Sequence, residues 1–369
     1  MRAFSRVVRN TPPLATIRWS KDTAVEVDGH LVPLNEYKSY IQSSIKELEN
    51  LVQTKVLCNI SLATIGISTI ITEDTDAGST VPYHGPFSHE MSELLDNPDS
   101  DKFANAMVSQ KRLGLNVKVL ENGQTSFMGD TKKVWSWLAT VDEAWELLYC
   151  LYHITSGLPG RGTEESMLQW TNSSTSRRHL FTIDGAIRIT SNYHKGTALT
   201  GTYKTITRLV LPQLSIIFLI LLRVVRPLQL TLHLQFGRQP RQGKTVDRLS
   251  SGDIENYRTK IFIKNGRTLS SKDQSKALCD WFSLHCEISV GIRWYRQFAT
   301  ALQRKWIHEL AKDPEFRAMA FADEQAGHTQ NTSEGHYARA VGSSGDSESR
   351  IKLFCDISRL WQRKLGLIE

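Results

Sequence analysis

The sequence predicts an α+β chain, mostly α, with a helical N-terminal domain followed by a domain built around a small β-sheet. Three observations predict it. Tyr37, Tyr40, Ile41, Ile45, Leu48, Leu51 and Val52 recur at three- and four-residue steps, the period of one helix face. Residues 141–155, rich in Trp, Leu and Tyr, form a second apolar helix that stops at Ser156–Gly157. Residues 181–203 and 260–264 instead have short stretches of strand character.

The remaining elements follow in chain order. Residues 23–27 and 30–32 flank Asp28–Gly29 and predict a hairpin with a type I′ turn. Residues 72–86 are polar, hold Gly78, Pro82 and Gly85, and read as an exposed loop. A mixed helical pattern covers 87–115, and 126–133 reads as a spacer. Residues 214–225 predict a buried helix. Its apolar run, 214–222, is shorter than the roughly 20 residues a bilayer span needs. Residues 237–252 read as a loop, 270–284 and 295–310 as helices, 342–349 as a mobile low-complexity segment, and 351–365 as a short basic amphipathic helix. The domains expected are 1–135, 136–341, and a linker with its C-terminal helix over 342–369.

With 369 residues and 40% hydrophobic content, the chain is long and apolar enough for two packed domains and too apolar for disorder. Lys and Arg exceed Asp and Glu by 45 − 38 = 7, which suits a polyanionic partner. The five cysteines, Cys58, Cys150, Cys279, Cys286 and Cys355, include no CxxC pair. They read as reduced intracellular thiols and argue against a zinc site. Residues 1–9 carry three arginines and no acid, without the long apolar segment of a secretory signal. A soluble intracellular protein is expected.

Three separated stretches carry chemistry. The first, residues 155–170, places Arg161 after a glycine-bounded turn, with Glu164 one helical turn on and Leu168 below. The second, residues 291–302, holds Arg293 and Arg296 on a predicted helix. The third, residues 325–338, holds Gly327–His328 and then Tyr337, an interval of 337 − 328 = 9. Arginine suits a phosphodiester because its planar fork holds two phosphate oxygens and keeps its charge. Tyrosine suits a reversible covalent step, and nearby cations favour its phenolate. Arg161 and Glu164 also suit a plain i,i+3 helix pair, and the second stretch also suits a solvated basic helix.

Together the three stretches resemble the tyrosine recombinases, also called the DNA breaking–rejoining enzymes. The likeness covers about 141–340 and is closest to the recombinase-like domains of fungal Crypton-type mobile elements, which also occur ahead of RecQ-like helicase modules. It implies a recombinase-like catalytic fold in which Arg161 and Arg296 clamp the scissile phosphate, Tyr337 attacks it, and His328 assists with Arg293. Arg293 stands where the family has histidine, and the interval from Arg296 to Gly327 exceeds the family's, so 309–317 reads as an inserted loop. The family's hairpin lysine corresponds to Lys195, with Lys204 the alternative. The resemblance implies a nuclear, metal-independent, cofactor-free enzyme of DNA recombination and integration. It implies double-stranded DNA as partner, a homo-oligomer on DNA, no membrane, and an N-terminal region that clamps DNA. The alternatives are a catalytically decayed DNA-binding relic and the N-terminal part of a helicase-linked mobile-element protein.

A rival motif, residues 237–245, nearly spells a phosphate-binding loop. Five residues (238–242) separate its glycines where that loop has four, Pro240 removes an amide, and no acidic strand follows.

Overall fold

A computed structural model describes residues 17–20, 23–72, 98–119, 125–173, 176–191, 206–239, 247–308 and 347–369. These residues are mostly helical, with small antiparallel sheets. Strands β1 (Ile17–Ser20), β2 (Ala24–Val27) and β3 (His30–Pro33) pair antiparallel in sequence order. Asp28 and Gly29 both take positive φ, 49° and 85°, as the predicted type I′ turn requires. β1 is an additional strand that the sequence pattern did not predict.

Helix α1 (Leu34–Leu51) follows and ends in a π-helical turn at Val52–Val56. It buries Tyr37, Ile41, Ile45 and Leu48, the predicted stripe. Helix α2 (Pro98–Ser109) leads to the hairpin β4 (Asn116–Val119) and β5 (Thr125–Met128). Residues 126–133 are therefore not a spacer. They complete β5 and then open α3 (Thr131–Thr155), whose first amides, Lys132 and Lys133, donate to Asp130 Oδ1 at 3.0 and 3.2 Å. This cap sets the helix start ten residues before its predicted one, at 131 instead of 141.

α3 is the central helix. From Ala144 to Thr155 it is buried nearly all round, as a helix surrounded by others must be. α1 packs on it, as does a long apolar helix further along the chain. Between α3 and that helix come α4 (Gly162–Glu165) and a sheet of β6 (Leu180–Ile183), β7 (Ala186–Ser191) and β8 (Ile206–Leu209). That helix comprises α5 (Pro212–Leu219), a π-helical turn (Ile220–Val225) and α6 (Arg226–Phe236). It extends past the predicted end at 225 because the wide turn precedes Pro227, whose missing N–H would break a regular helix. Among the described residues it is long and apolar enough to cross a membrane, yet most of it is buried inside the fold.

The chain then forms α7 (Ser251–Thr259), the short hairpin β9 (Ile263–Lys264) and β10 (Arg267–Thr268), α8 (Ser271–Cys286), α9 (Ile292–His308) and α10 (Ser347–Lys364). α7 was expected to be loop at its start. A reciprocal cap between Ser250 and Asp253 nucleates it. α10 closes the open edge of β8: Leu209 N–H donates to Ser358 Oγ at 3.1 Å and its carbonyl accepts from Gln362 Nε2 at 2.9 Å. Two helix side chains thus replace a missing strand. One continuous cluster of buried apolar side chains runs from Val25 to Leu365. Residues 73–86 of the predicted loop, the rival motif's Lys244 and residues 342–346 of the low-complexity segment lie outside the described residues, whereas 347–349, expected to be mobile, open α10.

Candidate phosphate-binding site

The site is built on the turn that ends α3. Ser156 caps the helix, and Gly157 leaves it at φ 110°, a conformation that favours glycine. The whole run Ser156–Gly160 is buried. A buried turn must find partners for its backbone polar groups, and here charged and polar side chains from distant segments supply them. Leu158 O accepts from Arg208 Nε at 2.7 Å, and Pro159 O from Arg296 Nε at 3.4 Å. Ser156 O accepts from Ser358 Oγ at 2.9 Å. Gly160 N–H donates to Glu165 Oε1 at 3.2 Å.

Arg161 follows directly, at the N-cap of α4. Its Nη1 lies 3.0 Å from Glu164 Oε1, and its backbone N–H donates to Glu164 Oε2 at 3.1 Å. Its side chain remains 27% exposed, so the cluster opens to solvent there. Glycine at 162 lets α4 approach α8. A Cβ there would lie 2.3 Å from Ser271 Oγ.

Under the turn lies a closed polar network. Glu165 Oε2 accepts from Tyr149 OH and from His153 Nδ1, both at 2.7 Å. Gln274 Oε1 lies 3.4 Å from the same hydroxyl. Burial would raise the Glu165 carboxyl, but His153, Arg208 and the Tyr149 hydrogen bond together hold it below its usual range. His153 Nε2 is buried with no hydrogen-bond partner among the described residues.

Burial is also the main cause that lowers the Arg296 guanidinium, to about 10. Arg161 and Arg208 lower it further, against Glu164 and Glu165. Arg161 and Arg208 are therefore both within electrostatic reach of Arg296. Among the described residues the cluster sets three guanidiniums beside two carboxylates, and each of the three arginines makes other interactions as well. Its fixed N–H donors fit an anion with several oxygens.

Of the six residues expected at an active site, Arg161 and Arg296 are brought together. Arg293 lies one helical turn before Arg296 on α9, is exposed, and has no hydrogen bond or ion pair among the described residues. Lys195, with its alternative Lys204, and His328 and Tyr337 lie outside the described residues. The sequence reading missed Arg208 and Glu165. All of β8 is buried, and Arg208 pairs in register with Ile189. An arginine on the inward side of an apolar strand needs a partner, and that was the available signal. No family model matches the chain, and no solved structure matches it.

Proposed function

We propose that this chain is a DNA-binding protein of the tyrosine-recombinase kind, cleaving and rejoining DNA through a 3′-phosphotyrosyl intermediate. The observation that carries the reading is the meeting of Arg161 and Arg296, 296 − 161 = 135 residues apart, at one buried turn. In this reading Arg161 and Arg296 hold the non-bridging oxygens of the scissile phosphate, with Arg208 adding charge behind them. The Tyr337 hydroxyl gives up its proton to solvent, its oxygen attacks phosphorus, the bond to the 5′ oxygen breaks, and Lys195 gives that oxygen a proton. His328 and Arg293 donate hydrogen bonds to the phosphate. In the sequence Lys195 and Lys204 both fall between the antiparallel neighbours β7 and β8, which supports the hairpin-lysine reading. The setting is integration of a mobile element in the nucleus, with copies of the chain assembled on duplex DNA.

A second reading, a DNA-binding relic without chemistry, is favoured by Arg293, because arginine shuttles no proton at neutral pH. A pool of random-sequence duplexes, each carrying a nick, separates the two. The enzyme reading expects a detergent-stable protein–DNA adduct that Tyr337→Phe abolishes. Salt-sensitive binding with no adduct supports the relic, and absence of salt-sensitive binding overturns both.

A further inference from the structure

We infer that the outward face of α9 is a track for the backbone of duplex DNA, leading away from the arginine cluster; this rests on the DNA reading of that cluster. The helix IRWYRQFATALQRKWIH contains four cations and no Asp or Glu. Its inward face buries Tyr295, Phe298, Ala299, Leu302 and Trp306. The opposite face carries Arg293, Gln297, Thr300 and Arg304 at steps of four, three and four residues. These are one row on a helix surface. Arg293, Gln297 and Arg304 can donate hydrogen bonds to phosphate oxygens, while the Thr300 hydroxyl donates to Arg296 O at 2.7 Å.

Two facts argue against an ordinary solvated face. Ordinary solvated helices mix charge signs and often form i,i+4 pairs. Here Arg293 and Arg304 are exposed and have no ion pair among the described residues. Helix stability does not explain the placement either, because cations in a first turn oppose the helix dipole, and Arg293 and Arg296 both sit near the N-terminal end. The row instead continues outward from Arg296. At its far end Lys305 lies 4.1 Å over the Trp19 ring, and Lys38 lies 6.0 Å from the Trp306 ring centre. Arg293 to Arg304 rises about 16 Å, which is about five base-pair steps along a strand at roughly 3.4 Å each. The face therefore fits phosphates flanking the one held by Arg161 and Arg296, and it reads no sequence.

The test is a titration of the full chain with random-sequence duplex DNA across a salt series. Arg304→Gln should reduce the magnitude of the slope of log K against log salt by about 0.9. It should weaken binding equally for all sequences and leave the thermal melt unchanged. Gln297→Glu, which puts a carboxylate in the row, should weaken binding further. Lys132→Gln, an exposed cation at the start of α3, should leave the slope as it was. A wild-type slope for Arg304→Gln overturns the track even while Arg161→Gln weakens binding and the DNA reading stands. No salt-dependent binding by the parent chain overturns the reading beneath it. Tighter binding of duplex RNA of the same sequence overturns DNA as the occupant.

Discussion

Arg226 and Arg296 both hold guanidinium groups drawn out of solvent, but in opposite electrical settings. Arg226 is sealed in the core. Its Nη1 and Nη2 donate to Lys260 O and Ile261 O at 2.9 and 2.8 Å, and its plane lies 4.4 Å from the Trp145 ring centre. Burial lowers it to about 9, with Tyr257 and Asp142 opposing. Arg296 instead shares a half-open cluster with two other arginines and two glutamates. A sealed guanidinium that crosslinks two backbone carbonyls is a structural pin. A cluster of guanidinium groups that reaches solvent at Arg161 suits, in the reading proposed above, a phosphate from outside.

The sharpest way to break this comparison is to remove each arginine in turn. Arg226→Met strands two carbonyls, those of Lys260 and Ile261, so urea denaturation should show a loss of about 2–5 kcal/mol. Among the described residues Arg296→Gln gives up one long bond to Pro159 O, and it relieves repulsion with Arg161 and Arg208, so its stability cost should be smaller, about 1 kcal/mol. Its DNA affinity should fall tenfold or more, as about 1–3 kcal/mol for a lost arginine contact implies. If Arg296→Gln unfolds the protein as readily as Arg226→Met while the folded fraction binds DNA normally, the two sites are alike and the distinction fails.

That contrast also marks where the sequence was legible. α1 and the second half of α3 carried clear apolar periods because each buries a continuous stripe. Asp28–Gly29 spelled its turn because the pair must take positive φ. β5 was missed because a four-residue strand beside Gly129 and a polar helix start leaves no period to read. α7 was missed because its polar sequence depends on the Ser250–Asp253 cap. Arg161 and Arg296 were paired through motif order, since no local pattern links residues so far apart. Arg208 was missed because its signal, an arginine among apolar neighbours, shows which way it faces only once the strand pairing is known. Lys195, His328 and Tyr337 belong to segments outside the described residues, and their place in the site remains a proposal from sequence.

The two regions should also differ in pH response, with opposite signs. Burial pushes the Asp142 carboxyl up to about 7, against the hydrogen bond from Asn265 N–H and the charges of Lys264 and Arg226. A carboxyl raised in the folded state binds its proton more tightly there than when unfolded. Stability from this group should therefore fall as pH rises from about 4 to about 7, by up to about 4 kcal/mol. Glu165 is held low, so its contribution is full above the ordinary carboxylate range and is lost as pH falls through its depressed value. In denaturation midpoints against pH, Asp142→Asn should remove the decline toward neutrality and Glu165→Gln the loss at the acid end. A decline toward neutrality that persists in Asp142→Asn would remove Asp142 as its source.

The smallest effect comes from packing at the half-open site. A methyl at Gly162 would lie 2.3 Å from Ser271 Oγ, 2.9 Å from Ser271 Cβ and 3.0 Å from Ile292 Cδ1. Ser271 starts α8 and Ile292 starts α9, so α4 must retreat from both helices. Overpacking of this kind costs about 1–3 kcal/mol, and here it also moves Arg161 relative to Arg296. Gly162→Ala should therefore lower DNA affinity more than its stability loss explains. Gly252→Ala is the matched control. Near the start of α7 its new methyl meets only Ser250 Oγ, at 3.8 Å, and alanine's higher helix propensity should stabilise the protein by up to about 1 kcal/mol. Equal DNA affinities for the two variants, compared on folded protein, would mean that the spacing of the arginines does not set phosphate binding.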